Sequence, residues 1–165
     1  AAARLARERR DGRHLRVCWE TNGGMSRAVL KRMAEVSLES GGCVKFDLKA
    51  WDESLHRALC GASNRITLRN FEYLSGWIGR RPDPPLVVAS TLLVPGYAEA
   101  DEVGRIARFI AGLDADIPWA LLAFYPAFEM HDLPTTSRRQ AAECLEAARA
   151  AGLRRVRLGN THLLA

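Results

Sequence analysis

The chain has 165 residues, a length typical of a single domain. Hydrophobic residues make up 48% and charged residues 26% of it, as in an ordinary globular domain, and no apolar run reaches the roughly 18 to 20 residues of a membrane span. The net charge is +5, but all except three of the 24 basic residues are arginines scattered over every predicted helix. We therefore expect no concentrated nucleic-acid-binding face.

In the first half of the chain, predicted helices alternate with predicted strands. The first ten residues are typical of the end of a helix, which Gly12 would close. Apolar residues then recur with a helical period, and Asn64 is typical of a helix N-cap. The predicted elements are a strand at His14–Glu20, a helix at Met25–Glu39 whose apolar face carries Val29, Leu30, Met33 and Val36, a strand at Cys43–Leu48, a helix at Glu53–Cys60 and a longer helix after Asn64.

The same alternation continues in the second half. A nearly continuous apolar run at Pro85–Val94 is typical of a parallel strand buried on both faces. Ser137 and Gln140 have the spacing of a capping box, which predicts a helix start. The remaining predicted elements are a helix at Glu99–Leu113, a strand at Trp119–Phe124, a helix from Ser137 to Ala151 and a strand at Leu153–Leu158.

Buried strands that alternate with helices predict parallel βα units and therefore an α/β fold. We expect one domain over residues 1–165 with the architecture of a partial parallel β/α barrel, because five strands are too few to close a barrel. The chain opens inside a predicted helix and without an initiator methionine. We therefore expect a fragment that lacks N-terminal strands of the barrel.

The four cysteines, Cys18, Cys43, Cys60 and Cys144, form no C-x-x-C pair, so the usual zinc and ferredoxin spacings are absent. Cys18 and Cys43 fall in apolar, strand-like runs. We expect reduced thiols that pack as small hydrophobic side chains, which is typical of proteins from a reducing cytoplasm.

Active sites of barrels and open α/β sheets lie at the carboxyl ends of the strands. Asp47 and Lys49 end the second predicted strand at positions i and i+2, which places both side chains on one face. A carboxylate beside an ammonium group can hold a zwitterion. Alternatively, Asp47 can join Glu20 and Thr21 at the end of the first strand around a hard cation, or form only a local ion pair with Lys49.

Lys49 also permits a different chemistry. A lysine whose amine is neutral forms Schiff bases with carbonyl substrates, as in aldolase-like barrel enzymes. The nearby Asp47 favours the charged amine and opposes that role. His131 and Asp132, which follow the fourth predicted strand, and His162 near the C-terminus are more typical of exposed loop positions.

An ordered set of short motifs resembles that of radical S-adenosylmethionine enzymes and covers nearly the whole chain. The similarity is greatest to the activating enzymes of glycyl radical proteins, such as the pyruvate formate-lyase activating enzyme, while the later motifs resemble the AmmeMemoRadiSam branch. The motifs are Cys18–Gly23, Phe46–Lys49, Gly61–Asn64 and Val94–Gly96, followed by Asp116–Trp119, Phe124–Pro126, Asp132–Pro134 and Gly159–Asn160.

The resemblance implies a fold, a reaction and a set of cofactor-binding residues. In this family a [4Fe-4S] cluster cleaves S-adenosylmethionine reductively, and the resulting 5′-deoxyadenosyl radical abstracts a hydrogen atom. Asp47 and Lys49 match the pair near the methionine part of the cofactor, and Val94 matches a position that lines the adenosine. The complete set that the resemblance implies is Glu20, Thr21, Asp47, Lys49, Val94 and Tyr125, the last at a position where many members have a histidine.

The sequence departs from the family pattern in one important respect. The C-x-x-x-C-x-x-C loop that holds the cluster is absent, and we expect its cysteines upstream of residue 1. The chain alone would then be inactive, with no metal ligand and no catalytic residue of its own. The implied partners are a glycyl radical protein or another protein substrate and an electron donor such as flavodoxin or ferredoxin, in the cytoplasm. The alternatives are a non-catalytic α/β binding domain and a barrel enzyme that uses a Lys49 Schiff base.

Overall fold

The computed structural model of the protein describes residues 15–165. The predicted helix in the first ten residues, its closure at Gly12, and His14 lie outside this range. The described strands are β1 (Trp19–Thr21), β2 (Val44–Asp47), β3 (Val87–Leu93), β4 (Trp119–Ala123) and β5 (Val156–Gly159). The described α-helices are α1 (Arg27–Ser40), α2 (Glu53–Cys60), α3 (Arg65–Ser75), α4 (Ala100–Leu113) and α5 (Arg138–Ala150), with short 3-10 turns at Ile78–Arg80, Phe128–Met130 and Thr161–Leu163.

The described strands form one parallel sheet in the order β1-β2-β3-β4-β5, so each strand lies beside its neighbour in the chain. A helix or a pair of helices separates each strand from the next. This confirms the predicted α/β fold with the architecture of a partial parallel β/α barrel. Parallel neighbours need such crossover connections, because a tight turn cannot return the chain to the same end of the sheet.

The described residues divide into two compact units. The first comprises residues 15–47 and Ile66–Val88. Its core includes Leu30 of α1, Phe46 of β2 and Phe71 of α3, all fully buried. The Phe46 and Phe71 rings meet edge to face with their centroids 5.3 Å apart, an arrangement that aromatic pairs favour.

The second unit comprises Leu48–Arg65 and Ala89–Ala165. The fully buried Trp119 is the largest side chain of its core, and its indole N–H donates a hydrogen bond to the Thr91 hydroxyl at 3.1 Å. Ile106 and Ile110 of α4 are also fully buried. The Trp119 bond satisfies a polar group that would otherwise be buried without a partner.

Three helix starts are capped by side chains, as their sequences require. Ser26 accepts a hydrogen bond from the Val29 amide, and Asp52 accepts one from the Leu55 amide at 2.8 Å. Ser137 accepts one from the Gln140 amide at 3.0 Å, which confirms half of the predicted capping box. The Gln140 side chain also donates to the Ala98 carbonyl, at 3.3 Å.

Three further predictions concern the helices. Asn64 directly precedes α3, as predicted, and its side-chain amide also donates to the carbonyls of Ala50 and Trp51. Val29 was expected on the buried face of α1 and is 50% exposed, because the buried face runs through Leu30 and Ala34 instead. The predicted bounds of α2 at Glu53–Cys60 are confirmed.

The first and last strands are shorter than predicted. β1 begins at Trp19 because Val17 bonds to a helix instead of a strand: its amide donates to the Ser40 hydroxyl, and its carbonyl accepts from the Ser37 hydroxyl, each at 3.0 Å. β5 begins at Val156, because the Arg154 amide still bonds outside the ladder, to the Ala115 carbonyl. Among the described residues, no helix is long and apolar enough to cross a membrane.

Thr136 joins the carboxyl ends of β3 and β4. Its fully buried hydroxyl donates to the Leu93 carbonyl and accepts from the Phe124 amide, with both distances 2.7 Å. One hydroxyl therefore satisfies two backbone groups that lie just beyond the ladder.

We predict that Thr136→Val lowers the free energy of unfolding by about 1 to 3 kcal/mol, because the Phe124 amide loses its partner in the protein interior. The matched control is Thr135→Val, at the adjacent half-buried threonine, which we expect to change stability by less than about 0.5 kcal/mol. Urea unfolding of both variants checks this prediction. Equal effects would contradict the role of the Thr136 hydroxyl.

Candidate functional site

Glu20 is paired with a lysine that the sequence prediction did not include. Glu20 and Lys45 are direct neighbours on β1 and β2, and the Lys45 Nζ atom lies 2.8 Å from a Glu20 carboxylate oxygen. The Glu20 side chain is 75% exposed, so the pair contributes at most about 1 kcal/mol to stability. The ammonium group of Lys45 supplies positive charge at the place where the sequence analysis considered a cation.

Thr21 and Glu20 do not come together in the structure. They are consecutive residues of β1, so their side chains lie on opposite faces of the sheet. Thr21 is in register with Phe46, and its hydroxyl accepts a hydrogen bond from the Gly23 amide at 3.0 Å. Asp47 shares a face with Lys45, two residues earlier on β2, and therefore with Glu20.

Helix α3 holds the loop that follows β1. The Thr67 hydroxyl donates to the Asn22 carbonyl at 2.6 Å. The Asn70 amide donates to the carbonyls of Gly23 and Met25, both at 2.8 Å. Both side chains are buried, so these bonds fix the loop backbone in a water-poor environment.

Sequence reasoning missed Thr67 and Asn70. The only available signal was that two polar residues, three apart, interrupt the apolar face of α3, which positions them for a common neighbour.

In this loop, position 23 requires glycine. Its φ is +74°, in the left-handed region. A Cβ atom there would lie 2.8 Å from the Thr67 Cγ2 atom and 2.9 Å from the Phe46 ring. The loop after β1 therefore packs directly against the core of its unit.

In the second unit, hydrogen bonds hold the backbone of the segment Leu48–Asp52 on both sides of Lys49. The Leu48 amide donates to the Ser90 carbonyl at 2.9 Å, and the Leu48 carbonyl accepts from the Thr91 hydroxyl at 2.6 Å. Lys49 itself is half-buried. The backbone before Lys49 is thus fixed to β3.

Two further side chains fix the backbone after Lys49. The buried Asn64 amide donates to the Ala50 carbonyl at 3.1 Å and to the Trp51 carbonyl at 2.6 Å. The buried carboxylate of Glu102, on α4, accepts from the amides of Trp51 and, at 2.7 Å, Asp52. The Asn64 bonds give a physical role to the Gly61–Asn64 motif, whereas nothing in the sequence pattern had pointed to Glu102.

Val94 and Tyr125 differ sharply in exposure. Val94 is buried directly after β3, and its carbonyl accepts from the amides of Tyr97 and Ala98 at 3.1 and 2.8 Å. Tyr125 follows β4 by two residues and is 63% exposed. Val94 can therefore offer a packing surface but not its carbonyl, whereas the Tyr125 ring is accessible.

The remaining loop candidates are exposed, as the sequence pattern suggested. His131 lies on the surface, with Nδ1 2.9 Å from the Phe128 carbonyl oxygen, and Asp132 and His162 are exposed too. Nothing in their placement adds a chemical role.

The cysteines were tested as ligands for the cluster that the family resemblance implies. Within residues 15–165, no group of three or more His, Cys, Asp or Glu side chains is arranged to hold a metal ion. Cys144 is buried on α5, where burial raises the pKa of its thiol to about 12. Cys18 was expected to pack as a hydrophobic side chain, but it is exposed, because the short β1 leaves it outside the strand. The described residues do not fit a [4Fe-4S] cluster.

Comparison with known proteins adds evidence at the level of the fold. No family model and no curated protein matches the chain. A solved structure that is similar to it is a domain of pyruvate-formate lyase-activating enzyme from Bacteroides vulgatus ATCC 8482, with a TM-score of 0.70 and 18% sequence identity. The similarity covers 94% of this chain and 87% of that domain. At this identity the comparison shows a shared fold.

We predict that Gly23→Ala lowers the free energy of unfolding by about 2 to 4 kcal/mol, because it combines left-handed backbone strain with a steric clash. Gly61→Ala is the matched control, since Gly61 has a φ of +68° but no atom within 4 Å of the added Cβ. We expect a loss of only about 1 kcal/mol for the control. Urea unfolding compares the two, and equal losses would contradict the packing of this loop.

Proposed function

We propose that this chain carries the S-adenosylmethionine-binding part of a radical enzyme that resembles the activating enzymes of glycyl radical proteins. Lys49 binds the carboxylate and Asp47 the ammonium group of the methionine part of the cofactor. Opposite charges two residues apart match the two ends of an amino-acid zwitterion, and charge-assisted hydrogen bonds are the strong ones in such a site. The shared fold with an activating-enzyme domain supports this proposal.

The observation that carries the proposal is the fixed backbone around Lys49. Thr91 bonds to Leu48, and Asn64 and Glu102 bond to Trp51, so the residues on either side of Lys49 are already ordered. Ligand binding therefore loses little conformational entropy in ordering the backbone that carries Lys49.

The other proposed positions contribute in different ways. Val94 would offer an apolar contact to the adenosine, and the exposed Tyr125 ring would offer it a stacking surface. Glu20 approaches the cofactor while paired with Lys45, and Thr21 acts through the loop that its hydroxyl holds. These four assignments follow from the family resemblance.

The proposal assigns binding and orientation of the cofactor to the described residues, and no reduction step. In enzymes of this class, S-adenosylmethionine is the source of the radical that abstracts hydrogen after a [4Fe-4S] cluster supplies an electron. The cysteines of residues 15–165 do not fit that cluster. A glycyl radical protein as substrate, flavodoxin or ferredoxin as electron donor, and a cytoplasmic location belong to the same proposal.

We predict that Lys49→Met weakens S-adenosylmethionine binding at least about tenfold, because it removes a charge-assisted hydrogen bond of about 1.5 to 3 kcal/mol. Asp47→Asn should weaken binding in the same way. Equilibrium dialysis of the labelled cofactor against the chain measures both effects.

The matched control is Lys31→Met, which removes the same charge from the exposed side of α1 and should leave the affinity unchanged. If the unmodified chain does not bind the cofactor, or if Lys49→Met and Lys31→Met behave alike, the proposed function is wrong.

A further inference from the structure

Cys18 and Cys43 directly precede β1 and β2, which are neighbouring strands. Trp19 and Val44 are direct partners, and the Trp19 amide donates to the Cys43 carbonyl at 2.9 Å. Cys18 and Cys43 are therefore the next pair in the same register. Neighbouring strands lie roughly 4.8 Å apart, which is inside the Cα separation of about 4.4 to 6.8 Å that a disulfide spans.

Cys18 and Cys43 each precede a member of the Glu20–Lys45 pair by two residues. Continuing the strand alternation by one residue to these positions places both thiols on the face of Glu20 and Lys45. The Cys18 thiol is close enough to raise the pKa of Cys43. Cys18 is exposed, and Cys43 is half-buried.

Burial and the neighbouring groups determine the protonation state of the Cys43 thiol at neutral pH. Burial, the hydrogen bond with the Cys18 thiol and the Cys18 charge raise its pKa to about 11, against the lowering effects of Arg81 and Lys45. Cys43 is thus almost entirely protonated at pH 7. Small reagents reach Cys18 first, because it is the exposed member of the pair.

We propose that Cys18 and Cys43 form a dithiol site that reacts with small-molecule disulfides and closes to an intrachain disulfide. The Cys18 thiolate attacks one sulfur of the reagent R–S–S–R, which forms a Cys18–S–S–R bond and releases one thiolate. The Cys43 thiolate then attacks the Cys18 sulfur, which forms the Cys18–Cys43 bond and releases the second thiolate. Two protein thiols are oxidised, one reagent disulfide is reduced to two thiols, and the two protons pass from the protein through water to the released thiolates.

This inference stands apart from the proposed cofactor site. The cysteines lie at the amino-terminal ends of β1 and β2, whereas Asp47 is the carboxyl-terminal residue of β2. The disulfide would tie the two strands together on the face that carries Glu20 and Lys45. Its formation does not depend on S-adenosylmethionine binding.

The test is to incubate the whole chain with oxidised glutathione without air, block the remaining thiols by alkylation, and map the linked peptides by mass spectrometry. We expect a Cys18–Cys43 link and no retained glutathione in the unmodified chain. Cys43→Ser should keep one glutathione on Cys18, because the second attack is removed. Cys60→Ser, which removes a thiol outside the pair, should react like the unmodified chain.

The pH dependence provides a second readout that needs no substitution. Burial still raises the pKa of Cys43 once Cys18 is in the mixed disulfide, so its thiolate fraction, and with it the rate of conversion, should rise between pH 7.5 and 8.5. Glutathione retained on Cys18 of the unmodified chain as long as in Cys43→Ser would overturn the proposal. A link between other cysteines, or a conversion rate independent of pH in this range, would overturn it as well.

Discussion

Every chain segment that leaves the carboxyl end of a strand carries backbone groups that need hydrogen-bond partners. This protein meets that requirement largely with buried side chains from other elements. Thr67 and Asn70 satisfy the loop after β1, and Asn64 satisfies two carbonyls of the segment after β2. These bonds avoid the free-energy cost of burying unpaired backbone groups. They also hold the segments in one conformation, which a binding site at the strand ends requires.

The function proposed for the chain depends on this constraint more than on any single charged residue. A lysine or an aspartate at the end of a strand is common on protein surfaces. Around Lys49, however, the side chains of Thr91, Asn64 and Glu102 bond to the flanking backbone and order it before any ligand arrives. The fold is shared with a domain of pyruvate-formate lyase-activating enzyme.

The sequence predicted the order and type of the described elements because apolar periodicity and glycine stops are local signals. It predicted strand bounds less well, since Val17 bonds to two serines of α1 that lie 20 and 23 residues away. Asp47 and Lys49 were predicted as a pair because alternation was continued to the end of one strand, but β2 ends at Asp47 and Lys49 lies in the segment after it. The Glu20–Lys45 pair was not predicted, because strand register is a tertiary property. The bonds from the Asn64 amide to the segment after β2 were not predicted either, because a helix-capping residue and a tertiary hydrogen-bond donor look alike in sequence.

The most direct test of the central claim is to follow the backbone amide signals of the chain by NMR while S-adenosylmethionine is added. The account predicts saturable shifts at the amides of Leu48–Asp52 and of Asn22–Met25, with the α5 amides unchanged. Such a pattern would locate the cofactor at the ends of β1 and β2. Shifts confined to other regions, or no saturable shift at any concentration, would contradict the proposed function.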